Sequence, residues 1–302
     1  MNEVQLNVLV PMIPNPFMTE PSASQSEFRV DDIRLLVLDI DGTISGQSNQ
    51  IREPVKRAIQ AVQAKGIQVA IATGRMYRSA LRFHAEIGST LPLMAYQGAF
   101  IKDPLNNKVL RHWSVPKPLV LQLLDHFEQP ALRQLLSVHF YIDDCLYVRE
   151  MTEETRCYAE RSGIEPISVG DLRRTLATEP TKVLALSDDS ALIDTLLGHL
   201  RQRYTPAELY LTTSVATFFE ATHPLVSKGN AVRYLTEEIL GWQAANVMAI
   251  GDNFNDIEMI EYAGIGVAMG EAPKAVQEIA QWVAPSVEGD GVAAAIEHFL
   301  LR

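Results

Sequence analysis

The chain has 302 residues, 47% hydrophobic and 21% charged, a mixture that excludes wholesale disorder. Its 26 Lys and Arg against 37 Asp and Glu leave a formal net charge of −11, which argues against nucleic acid or an anionic membrane as a general partner. Two cysteines, Cys145 and Cys157, can form neither a disulfide framework nor a CxxC pair, so a reducing, cytoplasmic setting is expected.

Residues 1–33 read as a tail. Prolines at 11, 14, 16 and 21 and the polar run Ser22–Ser26 break any period. The first basic residue is Arg29, so the segment fails as a signal peptide. A mobile extension or a false start of the reading frame is the simpler expectation, and an arm docked on the body is the alternative. Apolar runs elsewhere are strand-sized, far short of the roughly 18 residues a membrane span needs.

From Arg34 the texture changes. Leu35-Leu36-Val37-Leu38 is a continuous apolar run, as expected of a strand buried on both faces. A helix opens near Pro54 and ends at Lys65-Gly66, and Val69–Ala72 forms the next strand. This β-α-β order implies a parallel sheet with helices on its faces. The rhythm returns late, with a helix over 229–240, a strand over 247–250, a helix over 256–263, the strand-like Gly264–Met269 and helices over 272–281 and 290–301. Between these, strands are expected over 108–115, 135–142, 145–150, 166–170, 181–187 and 208–213, with helices over 117–128, 152–162 and 189–203. The fold class is therefore α/β: a Rossmann-like parallel-sheet core of residues 34–101 and 213–302, with an inserted α+β cap over 102–212.

Four segments near the carboxyl ends of sheet strands carry chemistry, which is where open α/β sheets bind ligands. In Asp39-Ile40-Asp41-Gly42-Thr43 two carboxylates share one side of an extended chain, and Gly42 lets backbone amides approach an anion. One carboxylate could act as nucleophile and the other as general acid and base. In Thr73-Gly74-Arg75 a hydroxyl beside a glycine amide can hold a phosphoryl oxygen. Lys228, in Ser227-Lys228-Gly229, opens a helix, where the dipole disfavours a cation unless it faces an anion. Gly251-Asp252-Asn253-Phe254-Asn255-Asp256 has far more polar residues than a turn requires, and Asp252 and Asp256 can supply hard oxygen ligands for Mg²⁺.

In this order the four segments resemble the haloacid dehalogenase superfamily of aspartyl phosphotransferases. The insertion resembles its type IIB cap and the motifs its Cof-type subfamily. The resemblance implies a Mg²⁺-dependent phosphatase acting on a small phosphorylated metabolite, such as a sugar phosphate, flavin mononucleotide or pyridoxal phosphate. It implies that Asp39 is nucleophile and metal ligand, and that Asp41 is acid and base with its carbonyl on the metal. Thr73 and Lys228 would hold the phosphoryl group, with Gly42, Thr43 and Gly74 beside it. Asp252 would complete the metal ligands, supported by Asp256 and Asn255. One departure is Gln97 in Tyr96-Gln97-Gly98-Ala99, where relatives commonly carry Asn, which puts any substrate contact there in doubt.

Rival readings differ in class. A phosphomutase would use the same nucleophile, with the acceptor decided by cap closure. A response-regulator receiver also surrounds an aspartyl-phosphate with acids, a Thr and a Lys, but is shorter and lacks an inserted cap. Gly264–Gly270 is misspaced as a dinucleotide fingerprint and reads as tight strand packing. Neither HExxH nor G-x-S-x-G occurs, which argues against zinc and serine hydrolases. Tyr141, Asp143 and Asp144 are expected among the cap residues that set specificity.

Overall fold

The computed structural model describes residues 32–302, so the expected tail lies outside the described residues except for Asp32 and Ile33. Ile33 is buried in the main core cluster, and Asn246 Nδ2 donates to the Asp32 main-chain oxygen at 2.8 Å.

Strand β1 (Leu35–Leu38) is wholly buried, as its unbroken apolar run requires. Helix α1 (Glu53–Ala64) carries Pro54 in its first turn and buries Val55, Ala58, Ile59 and Val62, spacings of three and four that make one apolar stripe. Gly66, at φ +86°, then turns the chain into β2 (Gln68–Ile71). Helix α2 (Tyr77–Glu86), absent from the expectations, buries Tyr77, Ala80, Phe83 and His84 at the same spacing. Strands β3 (Leu93–Ala95), β4 (Phe100–Asp103) and β5 (Lys108–His112) form a separate antiparallel sheet, bridged to β2's end by Ala72 and Met94.

Next come α3 (Lys117–Phe127), β6 (Ser137–Ile142), β7 (Cys145–Val148), α4 (Glu153–Ser162), β8 (Ile167–Ser168), β9 (Lys182–Leu186), α5 (Ser190–Arg203), β10 (Tyr210–Thr212) and β11 (Phe218–Thr222). The chain ends with α6 (Lys228–Arg233), prolonged by a π-turn over Tyr234–Ile239, then β12 (Val247–Gly251), α7 (Ile257–Tyr262), β13 (Ile265–Ala268), α8 (Lys274–Ile279), β14 (Trp282–Val283) and α9 (Gly291–Phe299).

The core sheet has the order β14-β13-β12-β1-β2 with every pair parallel. The cap sheet has the order β10-β11-β9-β6-β7-β8 and is antiparallel except at β7–β8. Sheet membership moves the seams expected at 102 and 212. Lys108–His112 pairs with β4 on the core side, while Phe218–Thr222 lies in the cap sheet between β10 and β9. Both are hairpin partners of strands across the expected seam, and strand pairing is not visible in local composition.

The pleat divides the cap sheet into two faces. Val138, Phe140, Val183, Ala185, Phe219 and Ala221 pack into the cap's own core with α3 and α5. Tyr141, Leu184 and Leu186 point the other way and join the main apolar cluster, which is centred on the core sheet. The cap is thus seated on the core by one face of its sheet. Gly266 is tightly packed, as expected, since a Cβ there would lie 2.3 Å from the Ile260 main-chain oxygen.

Candidate active site

Parallel register brings the motif strands out at one rim. Leu38 lies opposite Ile250 on β12 and Ile71 on β2, so Asp39, the Asp252 loop and Thr73 leave the sheet side by side. Gly42 follows at φ +79°, and a Cβ on it would fall 2.2 Å from Asp252 Oδ2, so only glycine lets the two loops meet. The Thr43 hydroxyl lies at the edge of hydrogen-bond reach of Asp252 Oδ1, 3.5 Å away.

Lys228 is the centre of the charge arrangement. Fully buried, its Nζ donates to Asp39 Oδ1 at 2.6 Å and to Asp256 Oδ1 at 2.5 Å. Burial alone would lower its pKa, but Asp256 and Asp39 more than reverse this and keep it a cation. Asp39 and Asp252 are both held above the usual carboxylate range, first by burial and then by the neighbouring carboxylates. The Asp256 carboxylate is fixed by the chain itself, its Oδ2 accepting from the Asp252 and Asn253 amides at 2.9 and 3.0 Å.

Oxygens of Asp39, Asp252 and Asp256 lie within 4.8 Å of one another. Three carboxylates against one ammonium make a hard-oxygen donor set with surplus negative charge, which fits a small divalent cation.

Asp41 is held differently. Arg75 grips it with Nε on Oδ2 at 2.7 Å and Nη2 on Oδ1 at 2.6 Å, and Arg161 of the cap helix α4 adds Nη2 on Oδ1 at 3.2 Å. Burial pushes the Asp41 pKa up, but the hydrogen bonds and charges of Arg75 and Arg161 prevail and lower it. Thr73 is buried and its Oγ1 accepts from the Arg75 amide at 3.1 Å. Asn255 Nδ2 donates to Gln97 Oε1 at 3.0 Å, and its Oδ1 has no partner among the described residues.

A cavity of about 490 Å³ between core and cap is lined by Asp39, Asp41, Thr73, Gly74, Lys228, Asp252 and Asn255. Of the remaining expected site residues, Thr43 and Gly42 support Asp252, and Asp256 lies behind Lys228. The expectation for Tyr141, Asp143 and Asp144 is corrected, because none of the three lines the cavity. Asp143 and Asp144 form the β6–β7 turn at φ +51° and +56°, where Asp144 accepts from the Tyr96 hydroxyl at 2.8 Å. The cavity's cap side instead combines Tyr158, Leu186, Val215 and Phe218 with charged residues that include Glu154, Arg161, Lys182 and Glu220.

Sequence reasoning passed over Arg161, Lys182 and Glu220. The last two had a signal: each is a lone charge inside an apolar or aromatic strand run, Lys182-Val183-Leu184 and Phe218-Phe219-Glu220.

Residues 36–296 match the family model described as haloacid dehalogenase-like hydrolase. The Bacillus subtilis 5-amino-6-(5-phospho-D-ribitylamino)uracil phosphatase YitU is 31% identical over 88% of this chain and 97% of its own. The Escherichia coli pyridoxal phosphate phosphatase YbhA is 26% identical over 89% of this chain and 99% of its own. Among solved structures, a protein described as a subclass IIB sugar phosphatase superposes with a TM-score of 0.73 at 22% identity, over 88% of this chain and 98% of its own.

Proposed function

Because the chain belongs to the haloacid dehalogenase-like hydrolases, we propose that it is a Mg²⁺-dependent phosphatase that releases phosphate from a small phosphorylated metabolite by way of an aspartyl-phosphate. The carrying observation is the placement of the buried Asp39 carboxylate against the Lys228 ammonium at 2.6 Å, with Thr73 and Asp252 in the same cavity.

In this reading an Asp39 oxygen attacks phosphorus as the bond to the leaving oxygen breaks. Asp41 gives that oxygen its proton, then as carboxylate takes a proton from the water that cleaves the acyl phosphate, restoring Asp39 and releasing inorganic phosphate. The Arg75 and Arg161 contacts hold Asp41 in the carboxylate form the second half requires, so the proton it gives in the first half is one it takes from the phosphate monoester monoanion and passes to the leaving oxygen. Lys228 and the Thr73 hydroxyl hold the phosphoryl oxygens. Asp39, Asp252 and the Asp41 carbonyl would hold Mg²⁺, which when bound offsets the charge of phosphate among carboxylates. Asp256, already accepting three hydrogen bonds, orients Lys228 and the Asp252 loop.

The relatives' named substrates extend to this chain as a class, phosphate monoesters of small polar metabolites. The wall of Tyr158, Phe218, Leu186 and Val215 suits a leaving group that carries a flat ring. A reducing cytoplasm is its proposed setting; among the described residues no helix is long and apolar enough to cross a membrane.

The test is phosphate release from a panel of phosphorylated metabolites and from p-nitrophenyl phosphate. Turnover should require Mg²⁺, stop on chelation and vanish in a folded Asp39→Asn variant. Metal-independent turnover or an active variant would sink the mechanism. A sugar acceptor in the assay separates hydrolysis from mutase-type transfer, because transfer yields phosphorylated acceptor in place of free phosphate.

A further inference from the structure

The cap turns a buried ion pair toward the core that the hydrolytic chemistry leaves without a role. Lys182 opens β9 and Glu220 lies in the middle of β11, on the sheet face opposite Val183, Ala185, Phe219 and Ala221. Their side chains are 3% and 1% exposed, and Lys182 Nζ lies 3.3 Å from Glu220 Oε2. Well-packed apolar residues hold such a layer as firmly as a buried ion pair does, so stability alone does not account for these charges.

Each end of the pair leads into the phosphoryl pocket. Lys182 Nζ donates to the Gly74 carbonyl oxygen at 3.1 Å, and the N–H of that same peptide unit, on Arg75, donates to Thr73 Oγ1 at 3.1 Å. The ammonium polarises the peptide and strengthens its N–H as a donor. With one lone pair so engaged, the Thr73 hydroxyl keeps its proton for an acceptor in the cavity.

At the other end, Glu220 Oε2 accepts from Gln97 Nε2 at 3.3 Å, which leaves Gln97 Oε1 to accept from Asn255 Nδ2 at 3.0 Å. The carboxylate thereby sets which way both amides face, and Asn255 keeps a second amide hydrogen. Glu220 Oε1 also accepts from Ser214, whose main-chain oxygen accepts from Asn253 Nδ2 at 3.0 Å, beside Asp252. Gln97 sits at φ +60° after Tyr96 at +53°, a conformation that side-chain-bearing residues keep only when their surroundings hold them.

We propose that the Lys182–Glu220 pair is a positioning device: it aligns the Thr73 hydroxyl and the Asn255 amide, so that the phosphoryl pocket is complete only with the cap seated. This rests on the phosphatase reading above. Neither residue need touch phosphorus.

The test uses the full chain with saturating Mg²⁺ and two unlike substrates, p-nitrophenyl phosphate and glycerol phosphate. Lys182→Met with Glu220→Met removes the charges at similar volume, and Gln97→Leu cuts the relay alone. For both variants kcat/KM should fall at least about tenfold, by equal factors for the two substrates, because the defect lies at the phosphoryl group. The melting temperature should stay within a few degrees of the parent, while the upward shift that inorganic phosphate gives the parent should shrink. A merely structural pair would do the reverse, lowering the melting temperature and leaving kcat/KM of the folded enzyme intact. Loss confined to one substrate would make these residues specificity determinants and overturn the proposal. If the double variant does not fold, Gln97→Leu decides, with activity within twofold of the parent counting against the relay. A parent inactive on both compounds and on the wider panel removes the phosphatase reading first, and the two failures are thereby distinguishable.

Discussion

His139 makes stability depend on pH in a way that can be worked from its surroundings. It lies on β6 with no exposed surface, Nε2 2.8 Å from Thr155 Oγ1 and Nδ1 without a partner among the described residues. The ring packs edge-on against Tyr158 at 5.3 Å. Burial, with the Lys182 charge added, pushes its pKa from 6.5 down to about 3. The folded pKa is the depressed one, so below pH 6.5 the unfolded chain takes up a proton that the native chain refuses. The contribution is therefore intact above pH 6.5 and is lost as pH falls. At pH 5 the gap is about 1.5 units, which at about 1.36 kcal/mol per unit costs about 2 kcal/mol. Asp39 and Asp252, with raised pKa values, act in the opposite sense, so the total for the parent does not isolate the effect. The difference between the parent and His139→Gln does. Urea unfolding at pH 7.5 and pH 5 should show the parent losing about 2 kcal/mol relative to the variant. A difference that stays constant to within about 0.5 kcal/mol would refute the burial argument.

Gly42→Ala places a methyl against Asp252 at a positive φ, and should cut kcat at least about tenfold and raise the Mg²⁺ concentration needed for half-maximal activity; unchanged metal dependence would contradict the close approach. Ile250→Ala, in the fully buried β12, should cost about 2–5 kcal/mol in urea unfolding, and a cost below about 1 kcal/mol would contradict the packing. Arg161→Gln removes one of the two cations on Asp41, so the Asp41 limb of the pH–rate profile should move to higher pH. Arg161 is half-exposed and Arg75 remains, so the shift should be under about one unit; a downward shift would refute the ion pair.

The βα frame and the motif segments are legible in residue order, because both are local signals. Leu35–Leu38 is apolar without interruption, Pro54 and Gly66 bracket a helix, and the motif carboxylates follow strands directly. Helix α2 and strand β11 were missed. The buried stripe of the first rests partly on Tyr77 and His84, whose polar atoms blur its period, and the second is a five-residue run whose place in the sheet is set by β9 and β10 pairing with it on either side. Partnership between distant residues is set by packing. Asp39 and Lys228 are 189 positions apart, one at the end of β1 and the other opening α6, and the packing of α6 against α7 and β3 brings them to 2.6 Å. The hold on Asp41, the cavity's cap wall and the Lys182–Glu220 relay depend on which face of the cap sheet meets the core. That choice is made when one apolar face is buried in the cap and the other against the catalytic domain, a distinction that residue order carries only as alternation and that packing turns into position.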